Sequence, residues 1–274
     1  MFFYPRVLFR LTLLVVCLVT YAAVSQAQVS HPEQVVIKPP LLRMEDPPPQ
    51  DATAEQLEAR GDELHAQKLY LDAVDYYRAA IAKSPKSERL LNKVCRTQLM
   101  MMRWKDARNT CEKAIQADRT IADPYSNLGV ALYGEGKLRA ATKQYQKAIA
   151  IDGSSASFYS NLGAAYFARK DFDKAAAAYR RAIELDPDVF ERTSRTGVQA
   201  QLSKPEDHAR YDYTVARLYA KLGFSDQSLE YLKKAMEEGY KDLKNVYKDE
   251  EFAELRKDKR FTELMASKVP AVPE

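Results

Sequence analysis

The sequence predicts an all-α fold built from stacked helix pairs. Small and large residues recur every 34 residues between residues 54 and 187, and a fixed period of 20–50 residues is typical of stacked repeats. One alanine series with this period is Ala73, Ala107, Ala141 and Ala175, and a second, seven residues later, is Ala80, Ala114, Ala148 and Ala182. The 274 residues include nine Gly and one Trp, with 46% hydrophobic and 29% charged residues, which favours a soluble helical protein over a β-rich one.

Each repeat divides into two helices when its residues are numbered 1 to 34 from Ala54, Glu88, Ala122 and Ala156. Positions 4, 7, 8 and 11 share one face of a first helix, because residues at i, i+3, i+4 and i+7 lie together on a helix. A turn is predicted near position 15, at Lys68, Met102, Gly136 and Lys170. A second helix carries positions 20, 24 and 27. Small residues at positions 8, 20 and 27 predict a close approach of the two helices.

The fourth unit reads AYFARKDFDKAAAAYRRAIELDP and, with the constant period, resembles the tetratricopeptide repeat family over residues 54–187. The resemblance implies a right-handed superhelical solenoid of antiparallel helix pairs. It also implies a protein that binds other proteins or peptides, that is not an enzyme and that needs no cofactor. The second unit departs most from the family pattern.

A fifth unit is predicted at residues 209–242, with Val215, Ala216 and Tyr219 on its first helix and Gly223 in its turn. Residues 188–208 break the period and are interpreted as an inserted loop, either functional or a spacer.

A helical cap is predicted at residues 243–267, since Asp249 precedes Phe252 and Leu255, and Asp258 precedes another apolar pair three residues apart. Two short helices there would cover the open end of the solenoid. A disordered tail is predicted at residues 268–274.

The N-terminus has the pattern of an export signal. Arg6 and Arg10 precede or flank an apolar run at residues 11–23, and Ser25-Gln26-Ala27 provides small residues at a cleavage site. We predict a signal peptide at residues 1–27 and a periplasmic or extracellular location in a bacterium. The alternative is an uncleaved anchor in the inner membrane; after cleavage, no membrane insertion is expected. Residues 28–53 contain six of the thirteen prolines and predict a disordered linker.

Several functions are not supported by the sequence. The formal charge is +4, and subtracting Arg6 and Arg10 leaves +2, which does not indicate a nucleic-acid partner. The three histidines are far apart, so no metal site is predicted. The segment GEGK at 134–137 has Ala131 and Leu138 where a phosphate loop needs Gly and Ser or Thr.

Cys95 and Cys111 stand at positions 8 and 24 of the second unit, on its two helices. Export would permit a disulfide between them. The alternative is that both are small buried hydrophobic residues. The nearest antiparallel partner of position 8 is expected to be position 20, which favours the second interpretation.

The family resemblance also implies a concave groove lined by first-helix positions 2, 5, 6, 9, 12 and 13. Carried over to this sequence, the predicted peptide- or protein-binding residues are Arg89, Asn92, Arg96, Ser126, Asn127, Tyr133, Asn161, Phe167 and Arg217. Asn127 and Asn161 suit a peptide backbone, because an amide side chain both donates and accepts hydrogen bonds. They are equally explained as residues that the repeat pattern requires.

These observations lead to one functional hypothesis and one alternative. The chain is predicted to be an exported, non-enzymatic scaffold that holds a peptide or protein of unspecified identity in its concave groove. The alternative is a structural subunit of a cell-envelope assembly or secretion complex, which would use the convex face and the caps.

Overall fold

The computed structural model describes residues 42–191 and 205–267, and this part of the chain contains eleven α-helices and no strand. The predicted signal peptide, residues 28–41 of the linker, residues 192–204 of the loop and the C-terminal tail lie outside the described residues. The helices are α1 Ala54–Ala66, α2 Tyr70–Lys83, α3 Glu88–Met100, α4 Trp104–Ala117, α5 Asp123–Gly134, α6 Leu138–Ile151, α7 Ala156–Ala168, α8 Phe172–Leu185, α9 Pro205–Leu222, α10 Ser225–Glu237 and α11 Lys259–Ala266.

Helices pack in adjacent pairs, so the predicted all-α solenoid is confirmed. Each pair is closed by the turn predicted at position 15. Lys68, Met102 and Lys170 adopt positive φ angles of 64°, 57° and 64°, and Gly136 adopts 74°. The next residue then bonds back into the first helix; Leu69 N–H donates to the carbonyl of Leu64 at 2.9 Å. This left-handed residue and its backbone bond stop the helix and reverse the chain.

Positions 8 and 24 of each repeat face each other. A Cβ atom built on Gly61 would lie 2.6 Å from the ring of Tyr77, and one built on Gly129 would lie 2.5 Å from the ring of Tyr145. Gly163 has the same relation to Tyr179. Since real Cβ atoms do not approach so closely, the glycine makes room for the tyrosine ring.

The second repeat fills this position with a disulfide. Cys95 and Cys111 are bonded, with their Cα atoms 5.4 Å apart, and both are fully buried. The expectation that position 8 would pair with position 20 was wrong, and so was the preference for two separate buried thiols. Position 8 lies under position 24 in every one of the first four repeats, and two cysteines take the place of the glycine and the tyrosine here.

The fifth pair begins earlier than the sequence pattern indicated, because α9 starts at Pro205 rather than at residue 209. Its predicted packing residues Val215, Ala216 and Tyr219 are fully buried. Residues 188–191, at the start of the predicted loop, join the fourth and fifth repeats. The Phe190 ring lies 5.5 Å from that of Tyr179 in α8 and 6.3 Å from that of Tyr231 in α10.

The predicted helical cap is present, but its first half is not an α-helix. It consists of the 3₁₀ turns Leu243–Tyr247, Glu250–Phe252 and Leu255–Lys257, followed by α11. Phe252, Leu255 and Phe261 are buried. A spacing of three between apolar residues suits the three residues per turn of a 3₁₀ helix, which explains why a single buried side chain per turn is enough here.

The disorder predicted for residues 28–53 does not extend to residue 53. Residues 42–53, which we call the strap, lie against α2. The buried carboxylate of Asp72 accepts the backbone N–H groups of Met44 at 3.1 Å and Glu45 at 3.3 Å. Arg43 forms an ion pair with Asp75. A composition rich in proline predicts the extended backbone correctly, but it does not reveal an acceptor located on another element.

The contact between positions 8 and 24 predicts the effect of added volume. Gly129→Ala should destabilise the protein by about 1–3 kcal/mol, because the new methyl group overlaps Tyr145. Gly153→Ala is the matched control, since its Cβ would lie no closer than 3.6 Å to any neighbour. Urea denaturation of both variants measures the difference. Equal unfolding free energies for the two variants would contradict the packing described above.

The disulfide predicts a second stability effect. Replacing both Cys95 and Cys111 by Ala should lower the free energy of unfolding by about 3 kcal/mol, as expected for a crosslink that spans 16 residues. Reducing agent should lower the urea midpoint of the wild-type chain and leave that of the double variant unchanged. A wild-type midpoint that is insensitive to a strong reductant under unfolding conditions would show that the bond does not form.

Candidate functional site

A charged cluster joins the first helices of repeats 1 and 2. Arg89 and Lys93 of α3 form ion pairs with the buried carboxylate of Glu58 in α1, at 2.7 and 2.6 Å. Lys93 also pairs with Asp62 at 2.6 Å. Arg89 is 68% exposed, so its head remains accessible beside the cluster. Because α1 and α3 occupy equivalent places in successive repeats, these ion pairs run along the solenoid.

A pocket of about 130 Å³ opens beside this cluster and is lined by Asp62, His65, Tyr77, Lys93 and Arg96. The Tyr77 hydroxyl donates a hydrogen bond to Asp62 at 2.8 Å. The Nε atom of Arg96 is buried and has no hydrogen-bond partner among the described residues. The pocket therefore contains one cationic donor whose bonding capacity is not used.

Burial controls the ionisation of two groups in this pocket. Burial, and then the charge of Arg96, lowers the pKa of His65 below its usual value. Burial, and then the hydrogen bond to Asp62, raises the pKa of Tyr77 far above its usual value. Both side chains are consequently neutral at pH 7, and the charges in the pocket belong to Asp62, Lys93 and Arg96.

Amide and hydroxyl groups connect the first helices of repeats 2, 3 and 4. The Asn127 side-chain amide donates to the Asn92 oxygen at 2.9 Å, and the Asn161 amide lies 3.5 Å from the Ser126 hydroxyl. Asn127, Asn161 and Ser126 are all buried. The Oδ1 atom of Asn127 has no hydrogen-bond partner in the described part of the chain. The structure thus brings these four predicted residues together in neighbouring pairs, and it leaves one acceptor unused.

Tyr133 of α5 is 9% exposed, and its hydroxyl has no hydrogen-bond partner within residues 42–191 and 205–267. Burial, and then the negative charge of Asp207, raises the pKa of Tyr133 to about 12. The hydroxyl groups of Tyr145 and Tyr179 are likewise buried without a partner in these ranges. Tyr77, which reaches Asp62, differs from them because repeats 3 and 4 have Val130 and Ala164 at the position of Asp62.

Two predicted groove residues have other contacts. Phe167 is 1% exposed and packs edge-to-face against Phe172 at 5.2 Å and Tyr211 at 6.1 Å, so it belongs to the core. The early start of α9 explains this placement, because it puts Tyr211 against α7. Arg217 forms an ion pair with Glu251 of the cap at 2.9 Å and lies 3.7 Å from Asp249. Neither side chain is presented as open groove surface.

Lys93 and Tyr77 were not among the predicted site residues, although both line the pocket. A signal for them was present in the comparison of repeats. Lys93 stands at position 6, where the third and fourth units have Asn127 and Asn161. Tyr77 is the position-24 tyrosine whose own repeat has an acid, Asp62, at position 9. A departure from the repeat pattern therefore marks the functional candidates better than the pattern itself.

The family comparison matches part of this solenoid. The tetratricopeptide repeat family model matches residues 156–189, and a second model, described as TPR repeat, matches residues 131–169. Residues 131–189 are tetratricopeptide repeats. The matched ranges cover α6 to α8 and part of α5, so the consensus-like repeats 3 and 4 carry the match. No functionally curated protein matches the chain significantly.

Several solved structures are similar to the chain. A crystal structure of MamA is 26% identical, covers 67% of this chain and 96% of its own, and has a TM-score of 0.46. TTC0263, a thermophilic TPR protein in Thermus thermophilus, is 22% identical, covers 78% of this chain and 100% of its own, and has a TM-score of 0.49. YrrB, a TPR protein with an unusual peptide-binding site, is 17% identical, covers 71% and 91%, and has a TM-score of 0.46.

Two further findings concern the described residues alone. Within residues 42–191 and 205–267, no three or more His, Cys, Asp or Glu side chains form a group that could hold a metal ion. No helix in the same ranges has both the length and the apolar composition needed to cross a bilayer.

The tyrosine hydroxyls predict opposite effects of the same substitution. Tyr145→Phe should leave stability unchanged or raise it by up to about 1 kcal/mol, because the hydroxyl is buried without a partner among the described residues. Tyr77→Phe should cost about 1 kcal/mol, because it removes the hydrogen bond to Asp62. Thermal unfolding of the two variants makes the comparison. A larger loss for Tyr145→Phe than for Tyr77→Phe would mean that the Tyr145 hydroxyl does have a partner.

Proposed function

We propose that this chain is a non-enzymatic interaction scaffold that binds an extended peptide or protein segment along the first helices of its tetratricopeptide repeats. One observation carries the proposal. Three polar atoms at groove positions are buried without a hydrogen-bond partner among the described residues: Arg96 Nε, Asn127 Oδ1 and the Tyr133 hydroxyl. Buried polar atoms left unpaired cost free energy, so such atoms in a native protein call for an explanation.

An extended peptide would supply what these three atoms lack. Its carbonyl groups accept hydrogen bonds, as the Arg96 guanidinium requires, and its N–H groups donate them, as the Asn127 oxygen requires. A hydroxyl such as that of Tyr133 pairs with either. The three residues belong to α3 and α5, the first helices of adjacent repeats, so one segment could meet all of them in succession.

We further propose that the protein is exported. The N-terminal signal pattern motivates this proposal, and the buried disulfide between Cys95 and Cys111 supports it. Structural disulfides form and persist in oxidising compartments, such as the bacterial periplasm, and are rare in the cytosol. A periplasmic location would therefore keep the second repeat in its crosslinked form.

The groove proposal predicts a location-specific loss of binding. Arg89→Gln combined with Arg96→Gln should reduce partner capture from an envelope extract of the source organism at least about tenfold, because each cation loses a charge-assisted hydrogen bond. Lys105→Gln combined with Lys113→Gln on α4 is the matched control, since it removes the same charge from exposed sites on a second helix. Quantitative mass spectrometry of the captured proteins measures both.

The two outcomes separate the proposal from the alternative function. Retained capture by the α3 variant, together with loss in the α4 control, would reject groove binding and favour a structural subunit that uses the other face. A photo-crosslinking residue placed at Asn92 and, separately, at Lys113 gives an independent reading of which face touches the partner.

Export predicts the N-terminus of the mature protein. Chains purified from a periplasmic fraction should begin at Gln28, as N-terminal sequencing would show. Intact chains that begin at Met1 and sediment with membranes would instead support the uncleaved anchor.

A further inference from the structure

The charges around the pocket between α1 and α3 do not balance. The two carboxylates of the cluster belong to Glu58 and Asp62. The three cations are Arg89, Lys93 and Arg96, so the cluster carries one net positive charge. Both carboxylates already have cationic partners in Arg89 and Lys93. Arg96 forms no ion pair with any residue in the described part of the chain, which places the surplus charge on its guanidinium.

One further acid, Asp123 at the start of α5, lies within the field of Arg96. Burial raises the pKa of Asp123, and the charge of Arg96 opposes that rise without the two groups forming an ion pair. Asp123 therefore weakens the positive field of the guanidinium, but it does not occupy the N–H donors of Arg96.

The pocket has the size and the donors for one small anionic group. Its volume of about 130 Å³ is below the roughly 300–1,000 Å³ of sites that hold whole small molecules. The guanidinium of Arg96 has a planar fork of N–H donors that matches the two oxygens of a carboxylate. His65, neutral because of its surroundings, lines the same pocket and has one further N–H to offer.

We propose that this pocket binds the carboxylate of an acidic side chain in the partner peptide, with Arg96 as the cation that receives it. The inference rests on the proposed peptide-binding function and names the chemistry of one of its contacts. It also explains why repeat 1 keeps Tyr77 and Lys93 bonded to Asp62: those bonds hold the Asp62 carboxylate away from Arg96, which stays available.

The test uses His65 as a reporter in the purified full chain. The charged groups that face its ring are Asp62, Lys93 and Arg96, and the ring of Tyr70 lies 5.4 Å away. An anion bound beside the imidazole stabilises the protonated form, so it raises the pKa of His65. NMR titration in sodium acetate, compared with sodium chloride at equal ionic strength, should show a pKa rise that saturates with acetate. His65→Gln identifies the signal.

The variants assign the effect to one side chain. Arg96→Gln should abolish the acetate-dependent rise, and Arg96→Lys should require more acetate to saturate, because it keeps the charge and loses the fork. Arg119→Gln, which removes an exposed guanidinium elsewhere in repeat 2, should leave the rise intact. An equal rise in chloride, or a rise that persists in Arg96→Gln, overturns the proposal. Tighter saturation by inorganic phosphate than by acetate also overturns it and indicates a phosphoryl group.

Failure of this inference can be told apart from failure of the proposed function. Saturable acetate binding that depends on Arg96, without any groove-dependent partner capture, would retain the carboxylate pocket and reject the scaffold. Groove-dependent capture without an acetate effect would retain the scaffold and reject the carboxylate as the recognised group.

Discussion

The contact between positions 8 and 24 within each repeat is the constraint on which this solenoid depends. A tyrosine ring from the second helix lies where a side chain of the first helix would otherwise be, in Tyr77, Tyr145 and Tyr179. The ring and the missing Cβ together set how closely the two helices approach, and the neighbouring alanines follow from that distance. Dense packing makes the contact intolerant of added volume.

The second repeat meets the same constraint with a covalent bond. Two cysteines provide less volume than a tyrosine ring, yet they place Cys95 and Cys111 with Cα atoms 5.4 Å apart. The exchange allows repeat 2 to depart from the family pattern elsewhere, because its two helices no longer rely on a large aromatic contact. It is also the repeat that contributes Lys93 and Arg96 to the pocket, so the most divergent groove surface stands on the crosslinked unit.

Periodicity was enough to predict the helices and turns, because each depends on residues close in sequence. The five turns, for example, follow from one left-handed residue per repeat, at Lys68 and its equivalents. The disulfide was mispredicted because the choice between positions 20 and 24 depends on how two helices are rotated against each other. The roles of Phe167 and Arg217 depend on α9 and the cap, whose placement no local pattern encodes.

The predicted groove residues divide for a similar reason. Asn92 and Asn127 bond to each other across repeats, and an amide that serves as a link between helices looks identical in sequence to one that binds a ligand. Arg96 could be singled out only after its possible partners were seen to be occupied. A charge becomes informative when the structure shows which opposite charges have already been used.

The strap has a consequence for reach. Because residues 42–53 lie along α2, held by Asp72, the repeats are tied down twelve residues before the first helix begins. Twelve residues of extended chain would span roughly 40 Å. Whatever precedes residue 42 must therefore hold the solenoid within a radius shorter by that length, and it delivers the repeats to a partner with a more defined orientation than a free tether would allow.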